Sequence, residues 1–170
     1  MPHHYDAWAG TLYTAKITGL QALTKYRFKV GSESEGWSQV FTFVSPPAAQ
    51  SKESVGAGQQ PPIFKMVVVG DIGFYPESYE MIDNVLQNEF AAPAALDSFA
   101  SASNTFDRPA MLLHPGDVSY ANGNQTIWDI YMNMMQPIAS RIPYMISIGN
   151  HDIEYMYGPQ SFDHRFTFPG

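Results

Sequence analysis

The sequence predicts an α/β domain with parallel strands, preceded by the end of an all-β domain. Three observations predict it. Residues 11–44 carry β-type patterning and no helical spacing. From residue 64 onward, apolar stretches alternate with stretches of helical spacing. Each apolar stretch then runs into a glycine and a polar side chain, at Gly70-Asp71, Gly116-Asp117 and Gly149-Asn150.

The β part comes first. Thr11 to Ile17 alternates loosely, Tyr26 to Val30 alternates well, and Val40 to Val44 closes the set. Gly19 and the stretch from Gly31 to Gly36 mark turns. An immunoglobulin-like sandwich takes about seven strands, so these are too few for a whole one. Leu20 followed by Tyr26, just ahead of a strand, resembles the tyrosine corner of such domains. Residues 1–46 are therefore expected to be the C-terminal part of a β-sandwich. Residues 47–62, rich in Pro, Ala, Gln, Ser and Gly, are the expected linker.

The α/β part is expected over residues 63–170. Phe64 to Val69 is a continuous apolar run, the pattern of a parallel strand buried on both faces. Glu77 to Phe90 puts Met81, Ile82, Val85, Leu86 and Phe90 at helical spacing. Residues 91–109, rich in Ala and Ser and closing on Arg108-Pro109, predict a long loop. Ala110 to His114 is the second strand, Gln125 to Arg141 a helix interrupted near Pro137, and Tyr144 to Ile148 the third strand. This alternation implies a parallel sheet with right-handed crossovers.

Composition narrows the function. A 45% hydrophobic, 15% charged chain is globular in character. A net charge of -7 argues against nucleic acid as the main partner, because phosphate backbones demand Lys and Arg. With no cysteine there is neither a disulfide framework nor a thiolate metal site. No apolar run is long enough to span a membrane. Met1 to Asp6 lacks the pattern of a signal peptide.

The chemistry is expected where the strands end. In open α/β sheets ligands bind outside the carboxyl ends of the strands. Asp71, Asp117 and Asn150 should therefore converge on one rim, with Tyr120 beside them. Carboxylate, phenol and amide are all oxygen donors, which suit hard cations. Two cations about 3.5–4 Å apart can clamp a phosphate. A carboxylate between them is suited to bridge, and Asp117, in the middle motif, is the candidate.

The order Asp71-x-Gly73, Gly116-Asp117-x-x-Tyr120, Gly149-Asn150-His151 resembles the calcineurin-like metallophosphoesterases. Tyr120 narrows the resemblance to the purple acid phosphatases. Gly19-Leu20, Thr24-Lys25-Tyr26, Gly36-Trp37-Ser38 and Phe41-Thr42-Phe43 are similar to the later strands of the fibronectin-III-like domain in plant-type members. Ser140 to Met145 also resembles the larger plant-type enzymes. The resemblance implies a dinuclear centre of Fe(III) with Fe, Zn or Mn. It implies that Asp71 and Tyr120 bind the ferric ion, that Asp117 bridges, and that Asn150 binds the second metal. Asn150 and His151 would contact the substrate phosphate, and His151 would help protonate the leaving group. The implied reaction is acid hydrolysis of phosphomonoesters. A phosphodiesterase or nucleotide pyrophosphatase activity is the alternative within the superfamily.

Two departures bear on this. Asp152 stands where the family usually has Glu. The three further histidines of the family's site, in Val-x-x-His-like and Gly-His-x-His motifs, are not found. The chain is thus expected to be truncated at both ends and inactive alone, or else a degenerate homologue serving as a binding module. Association into homo-oligomers is expected. Secretion or vacuolar location follows from the resemblance alone. His3, His4, His114 and His164 receive no role. Met132, Met134, Met135, Trp128 and Trp37 are assigned to packing.

Overall fold

Cross-strand aromatic pairing organises the N-terminal part of the chain. A computed structural model describes residues 10–46, 65–90, 109–153, 158 and 160–166. Strands β1 (Lys25–Phe28) and β4 (Phe41–Val44) pair antiparallel, with Tyr26 opposite Phe43 and Phe28 opposite Phe41. The facing rings lie 5.6 and 5.3 Å apart, the kind of pair that holds a ladder in register. Gln21 N–H donates to the Tyr26 hydroxyl at 2.7 Å, the bond expected of a tyrosine corner. Ser45, buried, accepts from Thr24 N–H at 2.9 Å and holds the same ladder at its Lys25–Val44 end.

Three details differ from expectation. Thr11 to Ile17 forms no strand, and Tyr13 and Ile17 are 91% and 55% exposed. A strand needs a neighbour for its backbone groups, and no described strand pairs with it. The stretch expected to be a turn holds a short hairpin, β2 (Gly31–Ser32) and β3 (Gly36–Trp37). Trp37 is no packing anchor: it is exposed, with Lys29 Nζ 4.2 Å above its ring and its indole N–H on Glu33. The expected linker lies outside the described residues, as does most of the expected loop at 91–109.

The α/β part forms as its pattern dictates. Strands β5 (Met66–Val68), β6 (Met111–Pro115) and β7 (Tyr144–Ser147) make a parallel sheet in that order. Helix α1 (Pro76–Glu89) starts with Pro at a position that needs no N–H. Helix α2 (Gln125–Ala139) is capped by Asn124, whose Oδ1 accepts from Thr126 N–H at 3.0 Å. Pro137 does not interrupt α2: it sits in the last turn, two residues before the end. Helix α3 (Gln160–Arg165) lays Phe162 against Trp128.

One face of the sheet holds the core. Val67, Leu112, His114, Tyr144 and Ile146 point to it in register, and α1 and α2 pack over them. Trp128, Tyr131, Met135 and Ile138, at helical spacing on α2, are fully buried there. His114, Tyr131 and Tyr144 form a buried triangle, with His114 Nδ1 2.7 Å from the Tyr144 hydroxyl and 3.1 Å from that of Tyr131. Burial lowers the His114 pKa and raises those of both tyrosines.

Among the described residues, the other face of these buried-type strands lacks its covering layer, as expected for a chain truncated within the domain. Val68, Leu113 and Met145 stand side by side across the three strands and are 58%, 38% and 37% exposed. Parallel sheets are ordinarily covered on both faces. An open apolar face of this kind drives association. The isolated chain is therefore expected to form oligomers or precipitate, and size-exclusion chromatography checks this. A monomer with a sharp, reversible melt would contradict it.

Candidate metal centre

Three loops leave the same end of the sheet, and backbone bonds sew them together. Val69 N–H donates to Leu113 O at 3.1 Å, Gly73 N–H to Val118 O at 3.0 Å, and Gly116 N–H to Ser147 O at 3.2 Å. Asp71, Asp117 and Asn150 each follow a strand end by two or three residues, and so share one rim. Their backbones are unusual. Asp71, Asp117 and Tyr120 all adopt left-handed φ values, of 54°, 45° and 56°. That region disfavours L-residues by roughly 1–2 kcal/mol, and a bulky Tyr there is an outlier. Such strain collects where a site over-determines the backbone.

The side chains meet. The Tyr120 hydroxyl donates to Asp71 Oδ1 at 2.8 Å, across 49 residues of sequence. That bond, ahead of burial and nearby carboxylate charge, pushes the Tyr120 phenol up to about 12. The bond is intact below the ordinary phenol value near 10 and is lost as pH rises through about 12. Gly73 makes the approach feasible. A Cβ there would stand 2.8 Å from the Tyr75 ring and 3.1 Å from the Tyr120 ring. Asp117 Oδ1 accepts from His151 N–H at 2.9 Å. The His151 ring stacks on Tyr120, centroids 4.5 Å apart and planes 23° off parallel. Asn150 opens a 3-10 turn (Asn150–Asp152), exposed at the rim. All five sequence-derived site residues lie along this edge.

The roles of two residues escaped the sequence reading. Asp152 is 2% exposed and accepts from Val118 N–H at 2.9 Å, Ser119 N–H at 3.2 Å and Gly149 N–H at 3.0 Å. One carboxylate thus ties the loop bearing Asp117 to the loop bearing Asn150. Asn122 meets His151, as described below. No local pattern announces either contact, though Asn122-Gly123 reads as a turn. Of the histidines left without a role, His114 is in the core and His164 is exposed on α3. His3 and His4 lie outside the described residues.

The donor set suits a hard cation. The Tyr120 hydroxyl and Asp71 Oδ1, 2.8 Å apart, bring a phenol and a carboxylate oxygen together. Among the described residues, no three His, Cys, Asp or Glu side chains gather. Four oxygen-bearing side chains are a beginning for two metal ions and not a complete shell.

Residues 64–169 match the model of the calcineurin-like phosphoesterases. The chain belongs to that family. Residues 2–45 match the N-terminal domain of the purple acid phosphatases, so within that family the chain is of the purple acid phosphatase type. It is 28% identical over 95% of its length to probable inactive purple acid phosphatase 9 of Arabidopsis thaliana, and covers 26% of that protein. It is 31% identical over 86% of its length to purple acid phosphatase 22 of the same plant, and again covers 26%. It is 29% identical over 70% of its length to a nucleotide pyrophosphatase/phosphodiesterase of Hordeum vulgare, and covers 28% of it. A solved purple acid phosphatase from yellow lupin (Lupinus luteus) seeds shares the fold, with a TM-score of 0.61 at 22% identity, over 91% of this chain and 28% of that one. The chain thus spans about a quarter of the length of the curated relatives it matches.

Proposed function

We propose that the rim is the strand-end portion of a dinuclear metal centre that hydrolyses phosphoesters, with phosphomonoesters as the preferred substrates. The observation that carries this is the Tyr120 hydroxyl on Asp71, 2.8 Å away, on an open rim instead of in the core. Asp71 and Tyr120 would hold one ion, Asp117 would bridge, and Asn150 would hold the second. When bound, the metal pair supplies positive charge for the phosphate and lowers the pKa of water. The chain's own residues do the rest. Asn150 orients the phosphate. His151, stacked on Tyr120 and anchored by its N–H on Asp117, stands ready to give a proton to the leaving oxygen.

A non-catalytic reading has its own support. Four donors leave the shell short, and a matched relative is named as inactive. A diester or nucleotide substrate is supported by the Hordeum relative's name.

The test separates ligand from catalyst. Titrating ferric ion into the chain is expected to raise a visible phenolate band, which strengthens as pH rises because metal displaces the phenol proton. Tyr120→Phe should abolish the band. Hydrolysis of p-nitrophenyl phosphate by the same sample should stay at background with iron, zinc or manganese. A band that survives Tyr120→Phe would remove Tyr120 from the ligand set. A metal-dependent rate lost in Asp117→Ala would show this chain catalytic without further ligands.

A further inference from the structure

We infer that Asn122 is a positioning residue that fixes which nitrogen of His151 carries its proton, an inference that deepens the phosphoester reading of the rim and rests on it for its catalytic meaning. Asn122 lies in the turn before α2 with a left-handed φ of 48°. Three contacts define it. Its backbone N–H donates to the His151 carbonyl at 3.2 Å. Its Nδ2 donates to the Tyr120 carbonyl at 3.1 Å. Its Oδ1 lies 3.1 Å from His151 Nδ1.

The donor inventory then decides the protonation pattern. A carbonyl only accepts, so the Tyr120 carbonyl holds the amide with its NH2 turned toward it. Oδ1 is therefore the atom facing the imidazole, and it too only accepts. His151 Nδ1 must carry hydrogen in every protonation state that keeps this contact. In the neutral ring Nε2 then has the lone pair, and in the cation both nitrogens are protonated. Proton delivery is consistent with this arrangement. The cation gives the Nε2 proton to the leaving oxygen, and the neutral ring left behind already holds its remaining hydrogen against Asn122 Oδ1. No tautomer change is needed between turnovers. An amide partner does this without adding charge beside the phosphate, unlike a carboxylate.

The contact also completes the ring's restraint. The His151 backbone is held by Asp117, its face by Tyr120 and its edge by Asn122.

Nitrogen-15 NMR of the histidine rings tests this on the 170-residue chain without metal or substrate. Spectra are taken across a pH series, and the tautomer is read where the nitrogen shifts themselves report a neutral ring. Magic-angle spinning gives the same readout if the chain is oligomeric, and His151→Gln assigns the signal. The expected result is a protonated Nδ1 and a bare Nε2. Asn122→Gly suits the left-handed backbone and removes the acceptor together with the Nδ2 donor to the Tyr120 carbonyl, so Nδ1 should lose its dominant protonation. Asn122→Asp restores an acceptor and should restore the pattern. A wild-type ring protonated mainly at Nε2, or an Asn122→Gly spectrum unchanged from wild type, would overturn the proposal. Because no metal is involved, a missing ferric band with the Nδ1 signal intact would remove the phosphoester reading and leave the Asn122–His151 link standing.

Discussion

Replacing Asp152 by Ala is expected to destabilise the rim by about 3–5 kcal/mol, because three N–H groups lose one buried acceptor at once. The carboxylate is the acceptor for the N–H groups of Val118, Ser119 and Gly149, and Asp152 is only 2% exposed. An orphaned buried N–H costs roughly 1–3 kcal/mol. A loss of this size is a large part of a domain's typical 5–15 kcal/mol. Amide exchange at Val118 and Ser119 reads it locally, and should accelerate at least about a hundredfold. Asp152→Asn keeps one acceptor oxygen and should fall between wild type and Ala. Exchange at these amides that is unchanged in Asp152→Ala would show that the loops are held by something else.

Gly149→Ala is expected to expel the Asp117 carboxylate from its place. The backbone at Gly149 is extended, with φ −120°, so any residue could adopt it. Space is the obstacle. A Cβ there would stand 2.8 Å from Asp117 Cγ, and closer still to its backbone N and Oδ1. Something must move, and overpacking of this kind costs typically about 1–3 kcal/mol. The first bond to go is His151 N–H to Asp117 Oδ1. Calorimetric titration with manganese should then show at least a tenfold weaker cation binding than wild type. Gly158→Ala is the control, since nothing lies within 4 Å of its added carbon and its burden is only a left-handed φ of 73°. Equal cation affinity in the two variants would mean that Asp117 does not need its present seat.

The parallel sheet and its rim were legible because their signals are local. An apolar run, a glycine and a polar residue occupy consecutive positions, three times over. Tyr26 was legible for the same reason, its partner being five residues away. Contacts between distant segments were not. Asp152 reaches Val118 across 34 residues, and nothing near either one announces it. Gly149 stands in its motif for lack of a side chain, not for freedom to turn, since its backbone is extended. Gly116, at φ 83°, does need that freedom. The apolar run before Asp71 suggested burial on both faces, but hydrophobicity records what a surface requires and not what covers it. Thr11 to Ile17 failed for a related reason: alternation describes a strand's faces, and only a neighbour makes it a strand.

The order of the strands in the sheet is also their order in the chain. A nascent chain emerging at about 5–20 residues per second would deliver the segment from β5 to β7 within roughly 5–15 s. Each strand would find its partner as soon as the next left the ribosome, with no earlier strand left waiting for a distant one. Pairing between neighbours keeps loop closure short, and short closures are quick. The sheet can therefore zip up vectorially, and the loops of Asp117 and Asn150 are tied together only when the turn at Asn150 arrives and Asp152 closes over the amides of the loop before it.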